Sequence, residues 1–219
     1  RPSHHLADLL AEAGVREGAD AVLQTSEDGW TCSTPLEALT DDRGAMLAVA
    51  MNGEPLPVDH GFPVRTIVPG LYGFVSACKW VVDLEVTRFA DVSAYWTERG
   101  WAEQAPCKIA SRIDVPRDGE TVDAGSVRMG GLAWHQHVGV SGVQVAVDGG
   151  AWQDATLARD ASVDTWVQWT ATVFVSPGEH QLRVRAIDSD GVPQTGVRRD
   201  VVPDGATGWH TVVFEAKEA

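Results

Sequence analysis

Apolar and polar residues alternate with a period of two along most of the chain, and with a helical period in one early stretch. From His4 to Ala13 the apolar residues Leu6, Leu9 and Leu10 share a face. Ser3 precedes them as a candidate cap and Gly14 follows, so the spacing predicts a helix over 4–13. Ala21-Val22-Leu23 and Trp30 to Ser33 read as strands around the turn Glu27-Asp28-Gly29. Pro35 to Leu39 starts a short helix, and Ala45 to Ala50 reads as a buried strand. Asn52-Gly53 is a tight reversal. Thr66-Ile67-Val68 is a short buried strand ended by Pro69-Gly70. From Val81 to Phe89 the alternation places Val82, Leu84 and Val86 on one face and Asp83, Glu85 and Thr87 on the other. Asp91 to Pro106 has no clean period, but Tyr95-Trp96 and Gly100-Trp101 mark it as a packed connection.

The texture changes near Lys108. Strand-like runs then recur at short spacing: Ile109 to Val115, Ser126 to Trp134, Val143 to Val147, Thr165 to Val175, His180 to Ala186 and Trp209 to Glu215. Turns such as Asp148-Gly149-Gly150 and Pro177-Gly178 separate them, and no helix is needed. The expected fold is α+β over residues 1–108, followed by an all-β, immunoglobulin-like sandwich over 109–219. Most of the nine tryptophans are expected at packed strand positions of the second half.

Composition narrows the function classes. Hydrophobic residues make up 44% of the 219, and no apolar run approaches the ~18 residues of a membrane span. The formal net charge is -14; residues 1–108 hold 8 basic and 16 acidic side chains, and residues 109–219 hold 9 and 15. Neither part has a basic footprint, which argues against nucleic acid as the partner. Cys32, Cys78 and Cys107 form no CxxC, so neither a disulfide framework nor a zinc knuckle is expected, and the compartment stays open. His135-Gln136-His137 lacks further ligands and reads as loop or interface; Asp188-Ser189-Asp190-Gly191 reads as a turn rather than a calcium loop.

Against this acidic background, Met51 to Trp80 collects anion-binding chemistry. Gly70 and Gly73 allow close backbone approach, Ser76 offers a hydroxyl, Arg65 and Lys79 offer positive charge, and His60 can donate from either ring nitrogen. The residues alone leave two readings open: a phosphate or anion seat, and a strand-turn-strand with a solvated lysine.

The run MNGEPLPVDHGFPVRTIVPGLYGFVSACKW resembles the molybdenum-cofactor domain of the sulfite oxidase family. The resemblance implies that His60, Arg65, Ser76, Ala77 and Lys79 hold molybdopterin and its phosphate. It extends to VAVDGGAWQDA, TWVQW, RAIDSDGVPQ and GWHTV, which resemble that family's immunoglobulin-like dimerisation domain. A homodimer through residues 109–219, a small anionic substrate such as sulfite and a separate electron acceptor are implied with it. LADLLAEAGV resembles the segment after the first half of the cofactor domain. The chain is therefore expected to be a fragment with incomplete or absent molybdenum cofactor, inactive alone, with any export signal or membrane anchor upstream.

The resemblance has gaps. No cysteine here matches the family's molybdenum ligand, so no metal ligand and no catalytic residue is assigned. Cys78 is in the phosphate loop, away from the metal end, and reads as a packed thiol. Val49 stands where a substrate-site tyrosine is expected, and Val202 where an arginine is expected. Two further readings compete: a dimerisation module that keeps the fold without catalysis, and an immunoglobulin-like module binding carbohydrate through Trp134 and Trp152.

Overall fold

The structure is a computed structural model that describes residues 3–159 and 162–218. It is mostly β-sheet with few helices, and it divides into two compact units. One comprises residues 1–107 with Val202–Gly205; the other comprises Lys108–Val201 with Ala206–Ala219.

In the first unit the elements run β1 (Ser3–His5), α1 (Leu6–Ala13), β2 (Ala21–Ser26), β3 (Thr31–Pro35), α2 (Leu36–Thr40), β4 (Met46–Ala48), β5 (Ala50–Met51), β6 (Glu54–Pro55), β7 (Arg65–Ile67) and β8 (Val81–Thr87). They make two antiparallel three-stranded sheets, ordered β1-β4-β7 and β3-β2-β8, and the β5-β6 hairpin. Asn52 and Gly53 both have positive φ, 54° and 86°, as a two-residue hairpin turn of this hand requires. Leu6 and Leu10, one helical repeat apart, bury against Val22, Ala38, Leu39, Ala45 and Val68.

Two expectations for this unit are corrected. The first helix begins at Leu6, and Ser3 is not its cap: residues 3–5 are extended and pair with Met46–Ala48. The Leu6 amide donates to the Ala45 carbonyl at 2.9 Å, so a neighbouring strand supplies the partner that a capping side chain would have given. Val82 does not point inward with Leu84 and Val86; it is 56% exposed. The β2-β8 register shifts between Thr25 and Ser26, which breaks the alternation before it reaches Val82. The expected packed connection is present as an aromatic cluster, with Trp101 edge-on to Phe74 and Trp96 at 4.5 and 5.5 Å.

The second unit contains β9 (Ala110–Val115), β10 (Thr121–Asp123), β11 (Gly125–Trp134), β12 (Val140–Val147), β13 (Gln153–Asp154), β14 (Thr156–Leu157), β15 (Val167–Val175), β16 (Gly178–Asp188) and β17 (His210–Lys217). They form a five-stranded sheet, β10-β17-β16-β12-β13, and a four-stranded sheet, β14-β15-β11-β9. Alternate residues of both sheets share one core. Val127, Met129, Trp169 and Val173 come from the smaller sheet, and Val143, Val145, Leu182, Val184, Val212 and Phe214 from the larger. This is a β-sandwich built on period-two patterning. Of the five tryptophans here only Trp134 and Trp169 lie within strands. Trp152, Trp166 and Trp209 sit in connections and pack through ring contacts: Trp134 on Trp166 at 5.0 Å, Trp152 on Trp209 at 4.9 Å. His135 and His137 lie in the turn after β11, and the Asp188 carboxylate closes a turn by accepting from the Asp190 and Val192 amides.

A part-buried ion pair ties the end of β12 to its sheet neighbour β16. His180 Nδ1 lies 2.7 Å from Asp148 Oδ2, and its Nε2 lies 2.7 Å from the Ser176 carbonyl. With an acceptor at each nitrogen the ring is held as imidazolium. The Asp148 bond first, and the Ser176 carbonyl second, raise the His180 pKa above its ordinary 6.5. Burial works against ionised Asp148, but the Gln181 amide and His180 outweigh it and hold the carboxyl below its usual range. The histidine favours the fold fully below about pH 6.5, and this contribution fades as pH rises through the higher folded-state value. The aspartate's contribution is present above about pH 4 and is lost in acid. Urea unfolding should therefore show the wild-type advantage over His180→Gln fully present below about pH 6.5 and shrinking as pH rises above it. An advantage independent of pH would contradict the imidazolium assignment.

Candidate functional site

The site forms where three segments meet around Gly61. A short 3₁₀ turn, Val58–His60, ends at Gly61 in a left-handed conformation with φ 104°. Strand β7 begins at Arg65, and Lys79 lies two residues before β8. A β-carbon at residue 61 would lie 3.0 Å from the Lys79 Cβ, 3.1 Å from the Arg65 Cβ and 3.2 Å from the Lys79 Cα. Glycine is therefore favoured twice, for its φ and because a β-carbon would press on both stems. Its missing side chain lets the stems of two cations converge.

Neither cation forms an ion pair among the described residues. Lys79 Nζ donates to the Asp59 carbonyl at 3.0 Å and lies 4.7 Å from the Trp80 ring centre. Arg65 Nη1 donates to the His60 carbonyl at 3.3 Å, and its Nε reaches the Thr66 carbonyl at 3.5 Å. Trp80 Nε1 donates to the Val58 carbonyl at 2.9 Å and steadies the 3₁₀ turn. Burial pulls the Arg65 guanidinium below its ordinary pKa, with the nearby Cys78 thiol acting the other way. A half-buried guanidinium without a carboxylate is costly unless an anion completes it. His60 is exposed at the same turn. The donor set of Arg65, Lys79 and His60 thus fits a phosphate group.

The Ser-to-Lys loop contributes by position more than by contact. The buried Ser76 hydroxyl donates inward to the Tyr72 carbonyl at 2.9 Å. The Ser76 and Ala77 amides bond the Gly73 carbonyl at 3.3 and 3.0 Å. Ala77 is half-buried, and these amides serve the local turn rather than an open nest. Structure brings His60, Arg65 and Lys79 together; it turns the Ser76 hydroxyl into the protein. A cavity of about 480 Å³ is lined by Trp80 together with Glu27, Asp28, Phe62, Pro63, Val81 and Val82.

A buried polar network positions the loop. Gln24 is fully buried on β2 and donates to Thr34 Oγ1 at 2.6 Å, and Thr34 in turn donates to the Val75 carbonyl at 2.5 Å. Thr66 Oγ1 lies 2.7 Å from Gln24 Oε1 and accepts the Cys78 amide at 2.9 Å. The strand read at Ala21 to Leu23 runs on to Ser26, and its alternation puts Gln24 on the inward face with Val22 and Ser26. A polar residue on that face was the available signal for the network. Cys78 is buried, and burial, followed by the Asp28 charge, raises its pKa to about 11. Cys107 is raised to about 11 by burial alone, and Cys32 is raised further still by burial and Cys78. None of the three is a ready thiolate. No cluster of three His, Cys, Asp or Glu groups placed for a metal occurs among the described residues.

Comparison with known proteins now fixes the class. Residues 4–96 match the oxidoreductase molybdopterin binding domain family. Sulfite oxidase of Macaca fascicularis is 33% identical over an alignment covering 84% of this chain and 39% of that protein. An uncharacterised oxidoreductase of Bacillus subtilis, YuiH, is 38% identical over 94 residues, covering 43% of this chain and 46% of that protein. Among solved structures, the sulfane dehydrogenase SoxCD of Paracoccus pantotrophus superposes with a TM-score of 0.71 at 26% identity, covering 98% of this chain and 61% of that one. The fold is thus that of a molybdopterin oxidoreductase. Within that class, the chain belongs to the sulfite oxidase family, and it spans about two fifths of the length of the mammalian relatives it matches (39%).

Gly61→Ala tests the convergence directly. The substitution should lower stability by about 1–3 kcal/mol, the range for a strained left-handed residue, with the loss read by urea unfolding. A change under about 0.5 kcal/mol, as at an unconstrained surface position, would show that the three segments do not depend on this glycine.

Proposed function

We propose that residues 1–108 are the C-terminal part of a molybdopterin-binding domain, and that Arg65, Lys79 and His60 seat the phosphate end of the cofactor. The observation that carries this reading is the pair of cations around Gly61, neither of which forms an ion pair among the described residues, in a chain of net charge -14. Arg65 would bind in a planar, forked manner and Lys79 as a point charge that trades the Asp59 carbonyl for a phosphate oxygen. Ser76 and Ala77 would hold the loop that presents Lys79. When bound, the cofactor supplies the two-electron oxygen-atom chemistry. The chain's own residues bind and orient it and exclude water from its phosphate end.

The parent activity we infer is oxidation of a small anion, with electrons passed to a separate acceptor. Two similar proteins, a sulfite oxidase and a sulfane dehydrogenase, support a sulfur substrate. Val49 and Val202 offer neither a phenol nor a guanidinium where the family resemblance expects them, so the substrate is not narrowed to sulfite. The β-sandwich of residues 109–219 is proposed as an immunoglobulin-like dimerisation domain. This reading rests on its two-sheet core and on the motifs shared with that domain.

Lys79→Ala and Arg65→Ala, each made in the longest available polypeptide that carries this chain, should lower bound molybdenum and pterin at least about tenfold. Loss of one charge-assisted hydrogen-bond partner costs roughly 1.5–3 kcal/mol. Unchanged molybdenum content in both variants would overturn the phosphate assignment.

A further inference from the structure

A basic cavity is lined by residues of the β-sandwich alone. It encloses about 770 Å³, and no Asp or Glu occurs among the described residues that line it. Arg183, Arg198 and His210 do line it. This composition stands out in a region holding 9 basic and 15 acidic residues.

The walls are fixed by a saturated floor. Gln194 is 5% exposed. Its Oε1 accepts from the Ser111 hydroxyl at 2.6 Å and the Ala186 amide at 3.1 Å, and its Nε2 donates to the Gly208 carbonyl at 2.8 Å. Trp209 Nε1 donates back to the Gln194 carbonyl at 2.8 Å. These bonds hold the segment leading into His210. His210 Nδ1 accepts the Ile113 amide at 3.1 Å, which leaves Nε2 to carry the ring proton as a donor.

The cationic side chains lack counter-charges. Neither Arg183 nor Arg198 forms an ion pair among the described residues. Arg183 Nε is buried without a hydrogen-bond partner among the described residues. A buried guanidinium N–H left unpaired costs free energy that a bound acceptor would recover. Preformed walls, two unpaired arginines and a histidine donor together make a site for an acceptor-rich anion.

We propose that this cavity binds an oxyanion, a phosphate or sulfate group, through Arg183, Arg198 and His210. The site is independent of the cofactor seat around Gly61. The assignment uses residues of the sandwich alone and stands whether or not the cofactor reading holds.

Titration of the full chain with inorganic phosphate, and separately with inorganic sulfate, tests it. The readout is the ¹⁵N-resolved Arg183 side-chain Nε–H signal. A saturable shift with either anion is expected. It should be retained in Arg65→Gln and weakened at least about tenfold in Arg198→Gln, the loss of one charged partner. Arg198 is exposed, so its substitution leaves the fold intact. Absence of a saturable shift with both anions, or an affinity unchanged by Arg198→Gln, would overturn the proposal.

Discussion

The missing side chain at residue 61 is the constraint on which the candidate site depends. Two cations approach each other only when something offsets their repulsion or when the backbone leaves them little choice. Here Gly61 does the second: its φ of 104° and its contact with the Arg65 and Lys79 stems bring both groups to one place. The protein then parks each cation on a carbonyl, Lys79 on Asp59 and Arg65 on His60. Carbonyl bonds satisfy donors without neutralising charge. The result is a seat held open in shape and unbalanced in charge, which is the electrostatic preparation an anionic group requires.

Behind the seat, Gln24, Thr34 and Thr66 form a fully buried relay between two sheets and the loop. Such a network stabilises only when every member is satisfied. It therefore ties the position of Cys78 and Lys79 to the correct pairing of β2 with β3. The sandwich uses the same device twice, in the Gln194 floor and in the His180–Asp148 pair. In each case a buried polar residue fixes a loop that the apolar core alone would leave free.

Much of this was legible in the residues. The period-two runs from Ile109 onward located six of the strands, and HGFPVR with the Ser-to-Lys loop located the cations. Short strands such as Thr121–Asp123 and Gln153–Asp154 were not readable, because pairs and triplets carry no period. The first helix was started too early because its leading amide is satisfied by Ala45, a partner thirty-nine positions away that no local pattern reveals. Val82 was misplaced because it is itself the extra residue where the β2-β8 register shifts, and the alternation of its own strand carries no mark of that shift. At the site itself, the residue types were readable but their hydrogen-bond direction was not: Ser76 points inward, and whether a hydroxyl faces a ligand or a carbonyl depends on the packed loop.

The most direct test of the central claim is the position of the cofactor phosphate in a crystal structure of the molybdenum-loaded protein. The account predicts phosphate oxygens within hydrogen-bond distance of both the Arg65 guanidinium and Lys79 Nζ, with Lys79 moved off the Asp59 carbonyl. A phosphate bound elsewhere, with Lys79 still on Asp59, would contradict it.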